Sequence, residues 1–176
     1  MCMLKESRVS RGIGFILAPL LLALAGGLFD LARAQQDQPQ IACDFLTGAG
    51  MVNATVDGGM VSFGLASGVK EGAFWGHLTY LEEGVKLKVE STSITNYFAT
   101  GPATRVIEGT AVTNLYGDRR YRATVTDNGE PGRTDTFQIE LDNGYVTQGS
   151  LLSGNVELLN GNLSSTPPPG FTCGAP

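Results

Sequence analysis

The chain has 176 residues, 42% of them hydrophobic and 16% charged, with 12 Lys and Arg against 17 Asp and Glu, one His and three Cys. The resulting formal charge of −5 argues against binding to duplex nucleic acid or to an anionic membrane, since both are held largely through Lys and Arg. The length suits one ordinary domain and is too short for two of comfortable size.

Lys5, Arg8 and Arg11 precede an apolar run from Ile13 to Leu24, and Ala32-Arg33-Ala34 supplies the small-x-small pattern that signal peptidase reads. Residues 1–34 are therefore expected to be a secretory signal cut before Gln35. The apolar run is shorter than the ~20 residues a bilayer-spanning helix needs, so no membrane span is expected after cleavage. The product is predicted to be secreted, extracellular or periplasmic. Without those residues the chain keeps eight basic and fifteen acidic groups, a formal charge of −7. Residues 35–42, rich in Gln, are predicted to be a disordered leader. Cys2 leaves with the signal, and two thiols in an oxidising compartment most simply pair with each other. Cys43 and Cys173 are therefore expected to form a disulfide that ties the start of the domain to its end.

From Cys43 onward short runs of period two recur between Gly, Asn and Asp clusters, and no helical period lasts three turns. Asp44 to Val56 reads as a first strand, bent at Gly48-Ala49-Gly50, and Asp57-Gly58-Gly59 as its turn. Val61, Phe63 and Leu65 alternate in a second strand, followed by a connection over residues 67–72. Phe74 to Leu81 is a third strand, with Leu78 and Tyr80 on one face and Trp75, His77 and Thr79 on the other. Glu82-Glu83-Gly84 reads as a hairpin loop. Val85, Leu87 and Val89 alternate in a fourth strand, but Ile94 has the wrong parity to continue it, which predicts a β-bulge near Ser91-Thr92-Ser93. Arg105 to Asn114 is a fifth strand whose small Gly109 and Ala111 predict a close approach. Arg119 to Thr126 and Thr136 to Leu141 flank the polar turn from Asp127 to Asp135. Asp142-Asn143-Gly144 is a hairpin signal, followed by an eighth strand over Tyr145 to Leu152 and a last run over Val156 to Leu159. Residues 164–176, with Pro167-Pro168-Pro169, are expected to run extended as a tail returning Cys173 to Cys43.

Short loops favour antiparallel neighbours, and a bridge from start to end favours closure. The expected fold is all-β over residues 43–163, an antiparallel up-and-down meander closing into a barrel of about eight strands, with a two-sheet sandwich as the alternative.

Cys43-Asp44-Phe45-Leu46-Thr47-Gly48, Trp75-Gly76-His77-Leu78, Arg105-Val106-Ile107-Glu108-Gly109-Thr110-Ala111, Asp127-Asn128-Gly129-Glu130-Pro131-Gly132, Asp135-Thr136-Phe137 and Gly154-Asn155-Val156 occur in that order. In this the chain resembles the bacterial "post-choice-of-anchor" type of secreted domain, over roughly residues 43–159. The resemblance implies an exported β domain, often appended to larger surface proteins, with no catalytic residue to carry over. The chain departs from the pattern at Met51, where Trp is common, and at Glu157-Leu158-Leu159, where a His often closes the run.

Asp127, Glu130 and Asp135, with carbonyl oxygens of a Gly-Pro-Gly loop, offer hard oxygen ligands of the kind Ca²⁺ takes. The alternative is that Asp127 and Asn128 turn on their own backbone, Gly129 and Gly132 take positive φ, and Arg133 pairs with a carboxylate. His77 is the single histidine and lacks a nucleophile elbow, so no catalytic triad or zinc site is expected. Trp75 and the five tyrosines read as packing, unless Trp75 stands exposed on a sugar-binding face. Asn53-Ala54-Thr55 and Asn162-Leu163-Ser164 match the glycosylation acceptor, a motif too short to carry weight in a chain resembling a bacterial family. Glu90, Glu108 and Glu140 are solvent-facing alternates, a poor basis for a two-carboxylate hydrolase. The expected function is that of a secreted, non-catalytic β domain with a structural, adhesive or cell-surface role and an extracellular protein or glycan partner. A small-ligand or Ca²⁺ binding barrel is the alternative.

Overall fold

The structure is a computed structural model that describes residues 41–55 and 58–174. The expected signal peptide, leader residues 35–40, Val56 of the expected first strand, Asp57 of its turn, and the last two tail residues lie outside the described residues. Nine strands follow in order: β1 (Phe45–Asn53), β2 (Met60–Lys70), β3 (Ala73–Glu82), β4 (Leu87–Ala99), β5 (Thr104–Thr113), β6 (Gly117–Thr126), β7 (Thr136–Leu141), β8 (Val146–Ser150) and β9 (Ser153–Leu159). They form one antiparallel meander sheet, ordered β8-β7-β6-β5-β4-β3-β2-β1-β9, curled into a half-barrel rather than split into the two sheets of a sandwich.

The strand directions explain how the margins of this sheet meet. Seven successive antiparallel pairings make β8 antiparallel to β1, and β9 is antiparallel to β1 as well. β9 therefore continues in the direction of β8. The two form one bent strand that changes partner at Leu151 and Leu152: the Leu151 N–H donates to the Asp135 carbonyl at 3.0 Å, and the Leu152 N–H donates to the Met51 carbonyl at 2.7 Å. Counted by direction, the shell has eight staves, and the eighth joins β7 to β1.

Alternation along each strand sends one face inward. Phe63 of β2 and Phe137 of β7 stack across the interior with ring centroids 4.0 Å apart, so the space inside the curl is filled by side chains. Leu46, Val52, Leu78, Val89, Ala123, Ile139 and Val156 complete this core at zero exposure. The expected bulge in β4 is present as a register shift between Ser91 and Ser93, and a second follows between Ile94 and Asn96. The first shift turns Ile94 towards the core and the second does the same for Tyr97. Opposite Ile94 stands Gly109, where a Cβ would collide with the Ser93 carbonyl and the Tyr121 ring, as expected of a close approach at a bulge.

Several boundaries differ from expectation. Ile41 and Ala42, placed in the disordered leader, are buried: Ile41 bridges to Phe98 and to Cys173, so the packed domain starts two residues before Cys43. β2 runs to Lys70 through most of the expected connection. Its turn needs only Glu71 and Gly72, both at positive φ as a tight hairpin requires. β1 runs unbroken through Gly48-Ala49-Gly50. Glu82 is the last residue of β3, paired with Leu87, and Val85 sits exposed in the turn. The Cys43–Cys173 disulfide is present, with Cα atoms 5.4 Å apart and a sequence separation of 130. The tail docks on the β2–β3 turn, where Glu71 and Gly72 donate backbone hydrogen bonds to the carbonyls of Ser164 and Thr166.

Candidate functional site

The loop from Asp127 to Asp135 lies where β9 has a bare edge. The N–H groups of Val156 and Leu158 point away from β1, and the Asp135 and Asp127 carboxylates accept them at 2.9 and 2.8 Å. The other oxygen of Asp135 accepts the Asn128 N–H at 2.8 Å, and that of Asp127 accepts the Gly129 N–H at 2.8 Å. Glu130 is turned to Asn155, whose amide donates to it at 2.8 Å. The three residues considered for Ca²⁺ thus face backbone and amide donors, and no group of three or more His, Cys, Asp or Glu side chains converges among the described residues. Gly129 and Gly132 take the expected positive φ, while Arg133 forms no ion pair among the described residues. What the loop supplies is a substitute for strand carbonyls at the seam. Thr55 does the same for β8, its hydroxyl accepting the Gln148 N–H at 3.1 Å and donating weakly to the Gln148 carbonyl at 3.4 Å.

At the disulfide end, Arg105 is buried and its guanidinium forms an ion pair with Asp44. It also donates to the carbonyls of Gly101 and Thr104 at 3.0 and 2.9 Å, and the Tyr97 hydroxyl donates to Asp44 at 2.7 Å. Burial, reinforced by the adjacent Asp44 carboxylate, pushes the Tyr97 hydroxyl well above the ordinary phenol range. The cleft beside it, lined by Ile41, Asp44, Pro102 and Leu158, has an arginine whose charge is already matched.

At the opposite end, inside the curl, Glu82 is fully buried. One carboxylate oxygen accepts the Tyr145 hydroxyl, the Tyr80 hydroxyl donates into the same pair, close to the Tyr145 oxygen and 3.4 Å from that carboxylate oxygen, and the Thr147 hydroxyl lies 3.0 Å from the Tyr145 oxygen. The second oxygen of Glu82 has no partner among the described residues. Burial pushes the Tyr80 hydroxyl up to about 12, and burial and Glu82 together raise Tyr145. The sequence placed Glu82 in a loop, although it continues the even-numbered series of Leu78 and Tyr80; that parity was the available signal.

The outer surface is uneven. Glu108 pairs across strands with Arg122 at 2.6 Å, Arg122 lies over the Phe98 ring, and Glu140 accepts from Gln138 two residues before it on β7. On β3 His77 is exposed, paired through its backbone with Ala66, and its imidazole makes no hydrogen bond among the described residues. Trp75 beside it is half-buried, its ring centroid 6.4 Å from that of Phe45. Comparison of the chain with family models, curated proteins and solved structures finds no match in any of the three.

Proposed function

We propose that the chain is an exported, non-catalytic β domain that works by presenting its outer surface to a partner at or outside the cell boundary. The observation that carries this reading is the filled interior. Phe63 stacks on Phe137 across the curl with centroids 4.0 Å apart, which supports a shell packed by its own side chains over an open ligand-holding barrel. Glu108, Glu140, Asp127, Glu130 and Asp135, five of the acidic residues that a hydrolase or a calcium site would draw on, are engaged in an ion pair, amide contacts and backbone capping. The disulfide and the absence of any long apolar helix among the described residues are compatible with export. The ordered motifs resembling secreted surface domains point the same way.

The test is to express the full chain with a C-terminal tag, follow its processing and export, and measure binding of the purified product to intact cells and envelope fractions. Export with removal of residues 1–34 and saturable binding to surfaces are the expected results. Retention of an unprocessed chain in the cytoplasm would overturn the reading.

A further inference from the structure

Outward-facing positions of β9, β1, β2 and β3 fall into rows set by the strand register. Leu159, Phe45, Gly68 and Trp75 make one row, and Glu157, Thr47, Ala66 and His77 the next. Asn155, Ala49, Gly64 and Thr79 follow. Phe45 and Trp75 stand on strands about 10 Å apart, yet their centroids are 6.4 Å apart at 48°. They lean together because Gly68 between them has no side chain, and Gly68 lies buried beneath them. Along β2 the floor continues over Ala66 and Gly64, with Thr47 on one flank and His77 and Thr79 on the other. Past Gly64 it opens into a shallow depression lined by Ser62, Thr79, Leu81, Lys88 and Glu90.

The chemistry of this face differs from that of the rest of the sheet. Glu108, Asp118, Arg120, Arg122 and Glu140 charge the outer side of β5 to β7, whereas the outward positions of β1 to β3 carry only Lys70, at a strand end, and the charges of Glu157 on β9 and of Lys88 and Glu90 on β4 stand at the margins. In a chain of formal charge −5 such a neutral strip offers no attraction to a charged polymer. It does offer inclined aromatic rings for the C–H faces of a sugar and hydroxyl and imidazole groups for its hydroxyls. Thr47 and Thr79 are only loosely occupied, at 3.5 and 3.4 Å from neighbouring carbonyls.

We infer that the outer face of β1, β2 and β3, centred on Phe45, Gly68 and Trp75, is a binding face for a neutral polysaccharide. This inference rests on the surface-binding role proposed above and names its partner. Phe45 and Trp75 stack on the chain, and Thr47, His77 and Thr79 bond its hydroxyls along the floor of β2.

Trp75 is the single tryptophan, so its emission reports on this face directly. The intact full chain is titrated with neutral gluco- and manno-oligosaccharides and with alginate as an anionic control. In parallel, affinity gels containing the corresponding neutral polymers compare variants. A saturable change in Trp75 emission with a neutral sugar is expected, with no change for alginate. Trp75→Ala and Phe45→Ala should each weaken retardation in the gel by about tenfold or more. Ala66→Glu fills the floor from an outward position without disturbing the rings and should do the same, while Arg120→Ala on the charged side should not. Cell binding by the wild type that survives periodate treatment but not protease treatment of the cells would overturn the inference while leaving the surface-binding role intact. Absence of both cell binding and sugar binding would overturn both.

Discussion

Arg105 shows how a single charged side chain can be fixed inside an all-β shell. Its guanidinium reaches Asp44 beside the disulfide, the Gly101 carbonyl of the β4–β5 loop and the Thr104 carbonyl at the start of β5, so it ties the segment before β1 to the β4–β5 connection. Removing one partner strands the other charge in a dry site. Arg105→Ala is therefore expected to cost about 3–5 kcal/mol, read from urea denaturation midpoints at constant slope. The buried phenols give a second prediction at this scale. Burial raises Tyr80 and Tyr121 from 10.0 to about 12. Between pH 10 and about 12 the unfolded chain releases protons that the folded chain keeps. Their contribution is constant below pH 10 and is lost as the pH rises through that window. Denaturation midpoints should fall there, and the near-ultraviolet tyrosinate absorbance of the folded chain should lag behind that of the unfolded chain.

Among the elements, the bent strand formed by β8 and β9 and the loop facing it decide whether the sheet closes. A strand that changes partner leaves half of each edge bare, and bare N–H groups in a sheet margin are both costly and prone to pair with other chains. Asp135 and Asp127 cover the β9 half and Thr55 covers the β8 half. Asp135→Ala should leave the Val156 and Asn128 N–H groups without acceptors and destabilise the chain by about 2–3 kcal/mol. Because the same carboxylates would have to turn to a metal, adding CaCl₂ should leave the melting temperature of the wild type unchanged. A rise with calcium would show that the loop can rearrange into a site.

For the whole molecule, the disulfide and the filled core act on different states. The core favours the folded chain by removing apolar surface from water, whereas the Cys43–Cys173 link restricts the unfolded chain over 130 residues. Cys43→Ser combined with Cys173→Ser is expected to lower stability by about 2–5 kcal/mol while keeping the β signature in circular dichroism, since Arg105 and the β1–β9 ladder still hold the ends together. Loss of all β structure in that double variant would show that the link, and not the ladder, closes the molecule.

Period-two alternation and turn residues determined by themselves that the domain from Cys43 onward is all-β and meandering, because side chains on successive strand residues point to opposite faces whatever the tertiary arrangement. The parity break at Ile94 located the β4 bulge for the same reason, and the cysteine positions located the end-to-end link. Alternation says nothing about which edge meets which, so only the folded sheet decided that the last strand bends to serve β7 and then β1. Only the folded sheet, likewise, turned a loop with calcium-like composition into a row of acceptors for that strand. Glu82, Asp44 and the Phe45–Trp75 pair were invisible as groups because their partners lie on other strands, and contacts between strands depend on register, which emerges only when the whole sheet packs.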